Sequence, residues 1–184
     1  MKDLLFHSAR IRQSVRKYSD KKVPRDVLER CVEAARVAPS ANNCQPWHFI
    51  VVDEPKKVRE VAEETFSSVV TFNKFSINAS AMAVVLAEPP NLITQIGGAL
   101  LKLQFQLMDV GMAVENFCLQ AANEGVGTCI LGWFHEKKLK NILSIPRRKK
   151  IALCIAIGYP ADDTIREKKR KDINTILSYN QYGE

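Results

Sequence analysis

The feature that most restricts the fold is the stretch from about residue 95 to 124, the longest helical candidate in the chain and a mostly apolar one. A helix with so little polar surface has to be buried in a core or against another subunit. Gly125 and Gly127 end it, since glycine closes helices without strain. A second helix opens at Pro24, whose fixed φ and missing N–H suit a first helical turn. Val27, Leu28, Cys31, Val32 and Ala35 follow at three- and four-residue steps, giving that helix one apolar face, and Pro39 stops it. Residues 2–9, 55 to about 67 and 136–143 read as further helices. Residues 48–52, 82–87, 128–131 and 151–158 read as short strands. Residues 171–184 hold too little apolar content for a core element.

Strands interspersed with helices imply a sheet covered by helices. The short strands and the long central helix suit an α+β fold with a mixed sheet better than a doubly wound one. No G-x-G-x-x-G follows a strand, so the usual dinucleotide fingerprint is absent. At 184 residues the chain fits one domain, 1–184, and its 46% hydrophobic and 26% charged content is globular rather than disordered. The longest apolar runs fall well short of the ~18 residues a membrane span needs, and no secretory signal is recognisable. A cytoplasmic protein is expected.

Five scattered cysteines, Cys31, Cys44, Cys118, Cys129 and Cys154, form no C-x-x-C pair and are read as small buried side chains in a reducing compartment. His7, His48 and His135 do not join them at zinc-like spacing, so no metal site is expected. The net charge of +7 is concentrated in Arg147-Arg148-Lys149-Lys150 and Lys168-Lys169-Arg170-Lys171. No aromatic residues interleave these runs and no nucleic-acid signature accompanies them. They are read as a solvated face or as charge for a phosphorylated cofactor, not as a nucleic-acid site.

Two segments carry chemistry. Arg12-x-Ser14-x-Arg16 sets two guanidinium groups and a hydroxyl at alternate positions, which share one face of extended backbone. Such a face can hold a phosphate and an adjoining polyol through charge-assisted bonds. In the second segment, Pro39 and Pro46 bracket Ser40-Ala41-Asn42-Asn43-Cys44-Gln45, and Trp47 follows at once. Serine and asparagine favour turns for local reasons. Amides that both donate and accept also suit a heterocycle with a mixed edge.

With these two segments in place, the chain resembles the nitroreductase family of FMN enzymes. The resemblance continues through Asp109-Val110-Gly111, Glu115-Asn116, Leu131-Gly132-Trp133-Phe134, Ile157-Gly158-Tyr159-Pro160, Arg170-Lys171-x-Ile173 and Tyr179-Asn180-x-Tyr182-Gly183. It implies a homodimer built on the long helix, with exchanged terminal segments and FMN at the interface. Arg12, Ser14 and Arg16 would contact the FMN phosphate, ribityl chain and pyrimidine end, and Lys168 and Arg170 would complete the phosphate site. Ser40, Asn42 and Asn43 would reach FMN from the partner, supported by Gln45. Leu131 and Gly132 would lie beside flavin N5 and O4, where glycine lets backbone approach a flat ring. Asn73 resembles a family asparagine near the ring.

The implied activity is ping-pong transfer of electrons from NADH or NADPH, through the flavin, to nitroaromatic, quinone or related small-molecule acceptors. No side-chain nucleophile or general acid is needed, because the cofactor carries the redox chemistry. Arg16 would stabilise the anionic reduced flavin near N1 and O2. The alternatives are dehalogenation, flavin fragmentation or dehydrogenation on the same scaffold, or a non-catalytic flavin sensor. The connection between Glu88 and Gln104 is short, so the flavin is expected to be more open or covered by residues 63–76.

Overall fold

The computed structural model describes residues 4–89, 94, 97–98 and 103–183. In chain order the elements are α1 (Leu4–Ile11), α2 (Arg25–Arg36), β1 (Trp47–Val52), α3 (Pro55–Glu63), β2 (Ala81–Ala87), α4 (Phe105–Asn123), β3 (Gly127–Leu131), α5 (Glu136–Ile142) and β4 (Lys150–Gly158). Short 3-10 turns occur at Ala41–Asn43, Lys74–Asn78 and Ile173–Thr175.

The fold is α+β, with strands in the order β1-β2-β4-β3. Every named pair is antiparallel. Among the described residues the parallel part of the expected mixed sheet reduces to one bridge, Ser14 to Thr128. β2 lies inside the sheet and is buried along its whole length. Its Ala81, Ala83, Val85 and Ala87 join the core that includes α2 and α4, while Met82, Val84 and Leu86 join the one that includes α3 and α5. Burial on both faces explains why β2 reads as a continuous apolar run rather than an alternating one.

α4 buries Asp109, Val110, Ala113, Val114, Phe117, Cys118 and Ala121 along one stripe, with Phe117 stacked 5.7 Å from Phe49. Its other side leaves Leu107, Met108 and Met112 exposed. The helix therefore begins later than the sequence suggests, at Phe105; residues 95–96 and 99–102 of the expected range lie outside the described residues. Gly125 closes it with a φ of 70°. Gly127 has a different purpose from the one its position suggests. A Cβ there would lie 2.6 Å from the Val15 side chain, so glycine lets residues 14–15 run against the edge of β3, where the Val15 N–H donates to the Thr128 carbonyl at 2.9 Å.

Pro24 sits one residue ahead of α2 as its cap rather than inside the first turn. The expected stripe is buried at Val27, Leu28, Cys31 and Ala35, and Val32 packs against it half-buried. α3 stops at Glu63, short of the expected 67, because the Thr65 hydroxyl turns back to the Ala62 carbonyl at 2.8 Å and bonds Ser76. All five cysteines are free, and Cys44 alone of the five is not buried. Among the described residues no helix is long and apolar enough to cross a membrane.

Candidate functional site

Residues 12–16 follow α1 directly and run beside β3. Val15 points into the protein at 8% exposure, so the alternation of an extended chain turns Ser14 and Arg16 the other way. Arg12 lies 3.3 Å from Glu115 of α4 through its Nε. That ion pair is too oblique for a hydrogen bond, and among the described residues the buried Nε has no hydrogen-bond partner. A buried donor of this kind is expensive to leave unpaired.

The late basic run lies alongside this segment. Gln13 Nε2 donates to the Thr164 carbonyl at 2.8 Å, and the Arg166 backbone N–H and Nε both donate to Gln13 Oε1 at 3.1 Å. The Arg166 guanidinium also reaches the Ser14 carbonyl, and the Lys168 ammonium reaches the Arg12 carbonyl. Burial holds the Lys168 ammonium below the usual lysine range, and the charges of Arg12 and Arg170, with Arg166, hold it there against the pull of Glu115. The structure thus brings Arg12, Lys168 and Arg170 together, with Ser14 two residues further along the same segment. It adds Arg166, which the sequence reading passed over. The signal was present, because Arg166, Lys168 and Arg170 alternate at the same two-residue step as Arg12, Ser14 and Arg16.

Arg16 is exposed. Its guanidinium lies over the Phe75 ring at 5.9 Å and donates a long 3.4 Å bond to the Ser14 carbonyl. Further along, β3 ends at the buried Leu131, and Gly132 is exposed. A Cβ at Gly132 would meet nothing within 4 Å, and its φ is not left-handed. Among the described residues neither packing nor backbone geometry requires glycine here.

The loop after α2 is held at its base and strained at its tip. The Ala41 N–H donates to Asp109 of α4 at 3.2 Å, Asn42 Nδ2 donates to Thr94 at 2.9 Å, and the Gln45 N–H donates to Ser40 Oγ at 2.9 Å. The Gln45 side-chain amide donates to Asn43 Oδ1 at 3.1 Å. Asn42, Asn43 and Gln45 all adopt positive φ, at 50°, 51° and 47°. Non-glycine residues enter that region at an energetic penalty, and such outliers cluster at functional sites. Asn73 is buried, and its Nδ2 donates to the carbonyls of Thr65 at 3.0 Å and Trp133 at 3.4 Å. It fastens the segment after α3 to the backbone next to Gly132.

Residues 9–159 match the nitroreductase family. An Archaeoglobus fulgidus protein provisionally named NADH dehydrogenase/NAD(P)H nitroreductase is 34% identical over 158 residues, covering 83% of each chain. An iodotyrosine deiodinase of Haliscomenobacter hydrossis is 25% identical over 190 residues, covering 90% of this chain and 84% of that one. Among solved structures, an FMN-dependent nitroreductase from Clostridium difficile superposes with a TM-score of 0.74 at 23% identity, covering 99% of this chain and 100% of that one.

Proposed function

Because the chain belongs to the nitroreductase family of oxidoreductases, we propose that it binds FMN at the interface of a homodimer and passes electrons from NAD(P)H to nitroaromatic, quinone or related small-molecule acceptors in the cytoplasm. The observation that carries this reading is an order of groups along one sheet edge: the cations Arg12, Lys168 and Arg170, then the Ser14 hydroxyl, then Arg16, with the open backbone of Gly132 beyond. FMN presents its parts in the same order: phosphate, polyol, ring. Arg12 and Arg16 are four residues apart, roughly 13 Å in extended chain, a span suited to a phosphoribityl arm.

Each group has a distinct task. The Arg12 Nε, which accompanies its Glu115 ion pair with no hydrogen bond among the described residues, and the crowded Lys168 ammonium favour an anion between them, since a phosphate satisfies the first and relieves the repulsion on the second. Arg16 sets positive charge at the pyrimidine end, and Gly132 leaves room for backbone beside the ring. When bound, the flavin supplies two-electron redox chemistry in alternate half-reactions with NAD(P)H and acceptor. The chain contributes binding, orientation and electrostatics.

The homodimer is supported by α4. Gly111 lies mid-helix on its exposed side among Leu107, Met108 and Met112. Among the described residues, nothing beyond the helix's own backbone and the two chain neighbours lies within 4 Å of where a Gly111 Cβ would stand, so close approach of a second helix accounts for the glycine. Ser40, Asn42 and Asn43 would then complete the site from the partner.

The test is the visible spectrum of the purified protein with added FMN, before and after anaerobic NAD(P)H. A bound-flavin spectrum that bleaches and recovers with a nitroaromatic or quinone supports the proposal. Failure to bind FMN would refute it, and a bound flavin that stays oxidised would favour a sensor. The deiodinase relative favours reductive dehalogenation as the second reading; turnover of iodotyrosine, and not of nitroaromatics, would select it.

A further inference from the structure

Arg16 is the group in the proposed site that the protein holds least firmly by ordinary means. Its guanidinium is exposed, and among the described residues its one hydrogen bond is the 3.4 Å contact to Ser14 and it makes no ion pair. A long, rotamer-rich side chain in that situation samples many positions. The Phe75 ring restricts it, lying 5.9 Å beneath the guanidinium. Arg16 thereby keeps its full positive charge, because an aromatic face attracts a cation without neutralising it. A carboxylate in the place of Phe75 would cancel the charge a flavin needs.

Phe75 is itself well supported. It sits half-buried on the turn Lys74–Asn78, packs against the core that includes α3 and α5, and contacts Tyr18 at 6.4 Å between ring centres. The Tyr18 hydroxyl donates to the Val15 carbonyl at 2.9 Å and the Ala156 carbonyl at 3.2 Å, tying the aromatic pair to the segment that bears Arg16. On either side of Phe75 in sequence, the buried Ser76 hydroxyl shares a 2.8 Å hydrogen bond with Thr65, and the buried Asn73 amide donates to Thr65 and Trp133. The ring is therefore a fixed platform, and the guanidinium above it is the movable part.

We infer that Phe75 is a positioning residue that holds Arg16 at the pyrimidine end of the flavin and so raises the reduction potential of the bound cofactor. The inference rests on the flavin reading above. Negative charge gathers at that edge on reduction, and a cation held there stabilises the reduced form more than the oxidised one.

The experiment is an anaerobic spectroelectrochemical titration of FMN-loaded wild type, Phe75→Leu, Phe75→Tyr, Arg16→Gln and the double variant Phe75→Leu/Arg16→Gln. A parallel fluorescence titration measures FMN affinity. Phe75→Leu should weaken the preference for reduced flavin by about two- to fivefold, which at about 30 mV per tenfold for a two-electron couple lowers the potential by about 10–20 mV. Phe75→Tyr should retain the wild-type potential, and Phe75→Leu should add nothing once Arg16 is glutamine. An unchanged potential in Phe75→Leu, or an equal shift with and without Arg16, overturns the inference while leaving flavin binding intact. A wild-type chain that takes up no FMN overturns the flavin reading and this inference with it. Should Phe75→Leu fail to fold, Phe75→Met fills similar volume without a π face and is read in the same way.

Discussion

Replacing Lys168 by methionine should have opposite consequences for the free and the FMN-bound protein. In the free protein the ammonium is partly desolvated and stands among Arg12, Arg166 and Arg170, with Glu115 pulling the other way. Its folded pKa lies below the unfolded one, so folding is penalised while the ammonium is charged. That penalty is present at neutral pH and fades as pH rises through the folded and then the unfolded value. Methionine removes the repulsion and keeps most of the stem, and it forfeits the bond to the Arg12 carbonyl. These effects oppose each other, so the free protein should change in stability by no more than about 1 kcal/mol. With FMN bound, the lost contact is a charge-assisted bond to phosphate, worth about 1.5–3 kcal/mol. At 1.4 kcal/mol per factor of ten, that is a roughly 10- to 150-fold rise in the FMN Kd. Urea unfolding of the free protein and fluorescence titration with FMN measure the two halves. The wild-type affinity should also fall more steeply with salt than that of the variant, since one screened charge has gone. FMN affinity within threefold of wild type, or a free protein that loses more than about 2 kcal/mol, would refute the assignment of Lys168 to the phosphate.

Three further outcomes follow from the same reasoning. Gly132→Val should leave the free protein within about 1 kcal/mol of wild type, because a Cβ there meets nothing, and should weaken FMN binding more than about tenfold; equal affinity would remove the ring contact. Gly111→Leu should split the dimer in sedimentation equilibrium, whereas Gly111→Ala in a monomer would only add about 0.5–1 kcal/mol of helix stability. Glu136 anchors the start of α5 to β4: burial opposes its ionisation, but the Ile151 N–H at 3.1 Å, Lys140 and Lys150 outweigh it and bring its pKa down to about 2 from 4.5. Its contribution is therefore complete above pH 4.5 and lost as pH falls towards 2. After allowance for partial exposure it is about 1–2 kcal/mol, so Glu136→Gln should lose that much at pH 7 and flatten the acid limb of a urea-stability profile.

Much of this was legible because local rules and packing agree. The α2 stripe, the all-apolar β2 and the closing Gly125 each follow from a pattern whose physical cause survives in the fold. What stayed hidden depends on contacts distant in sequence. Gly127 reads locally as part of a helix stop, and only the Val15 side chain, more than a hundred positions away, gives it another purpose. The 12–16 segment has too few residues to read as a strand, and the single parallel bridge at Ser14 depends on β3. Arg166 was lost inside a charged run, since charge alone does not reveal that a guanidinium will fold back onto Ser14. The Phe75 platform was equally invisible, because no spacing rule relates residue 75 to residue 16.

The geometry of α4 gives a reason for a shared site. The Ser40–Gln45 loop attaches to this helix through Asp109, and Arg12 attaches to it through Glu115. Those anchors are six residues apart, about 9 Å along the axis and roughly 120° around it. Asp109 faces the core, while Glu115 faces outward. One chain therefore offers its cation-bearing edge and its strained amide loop on different sides of the same helix, which argues against both wrapping one ligand within a monomer. If two copies of α4 pack through the Gly111 face, the loop of one chain is available to the cation edge of the other. Variants with defects in different halves then provide a decisive comparison. Mixed dimers of Arg12→Ala and Ser40→Ala/Asn42→Ala chains should regain one intact site in two and bind FMN at half stoichiometry with near wild-type affinity. Mixed dimers that bind no better than either parent would place both sets of contacts in one chain and overturn the interfacial site.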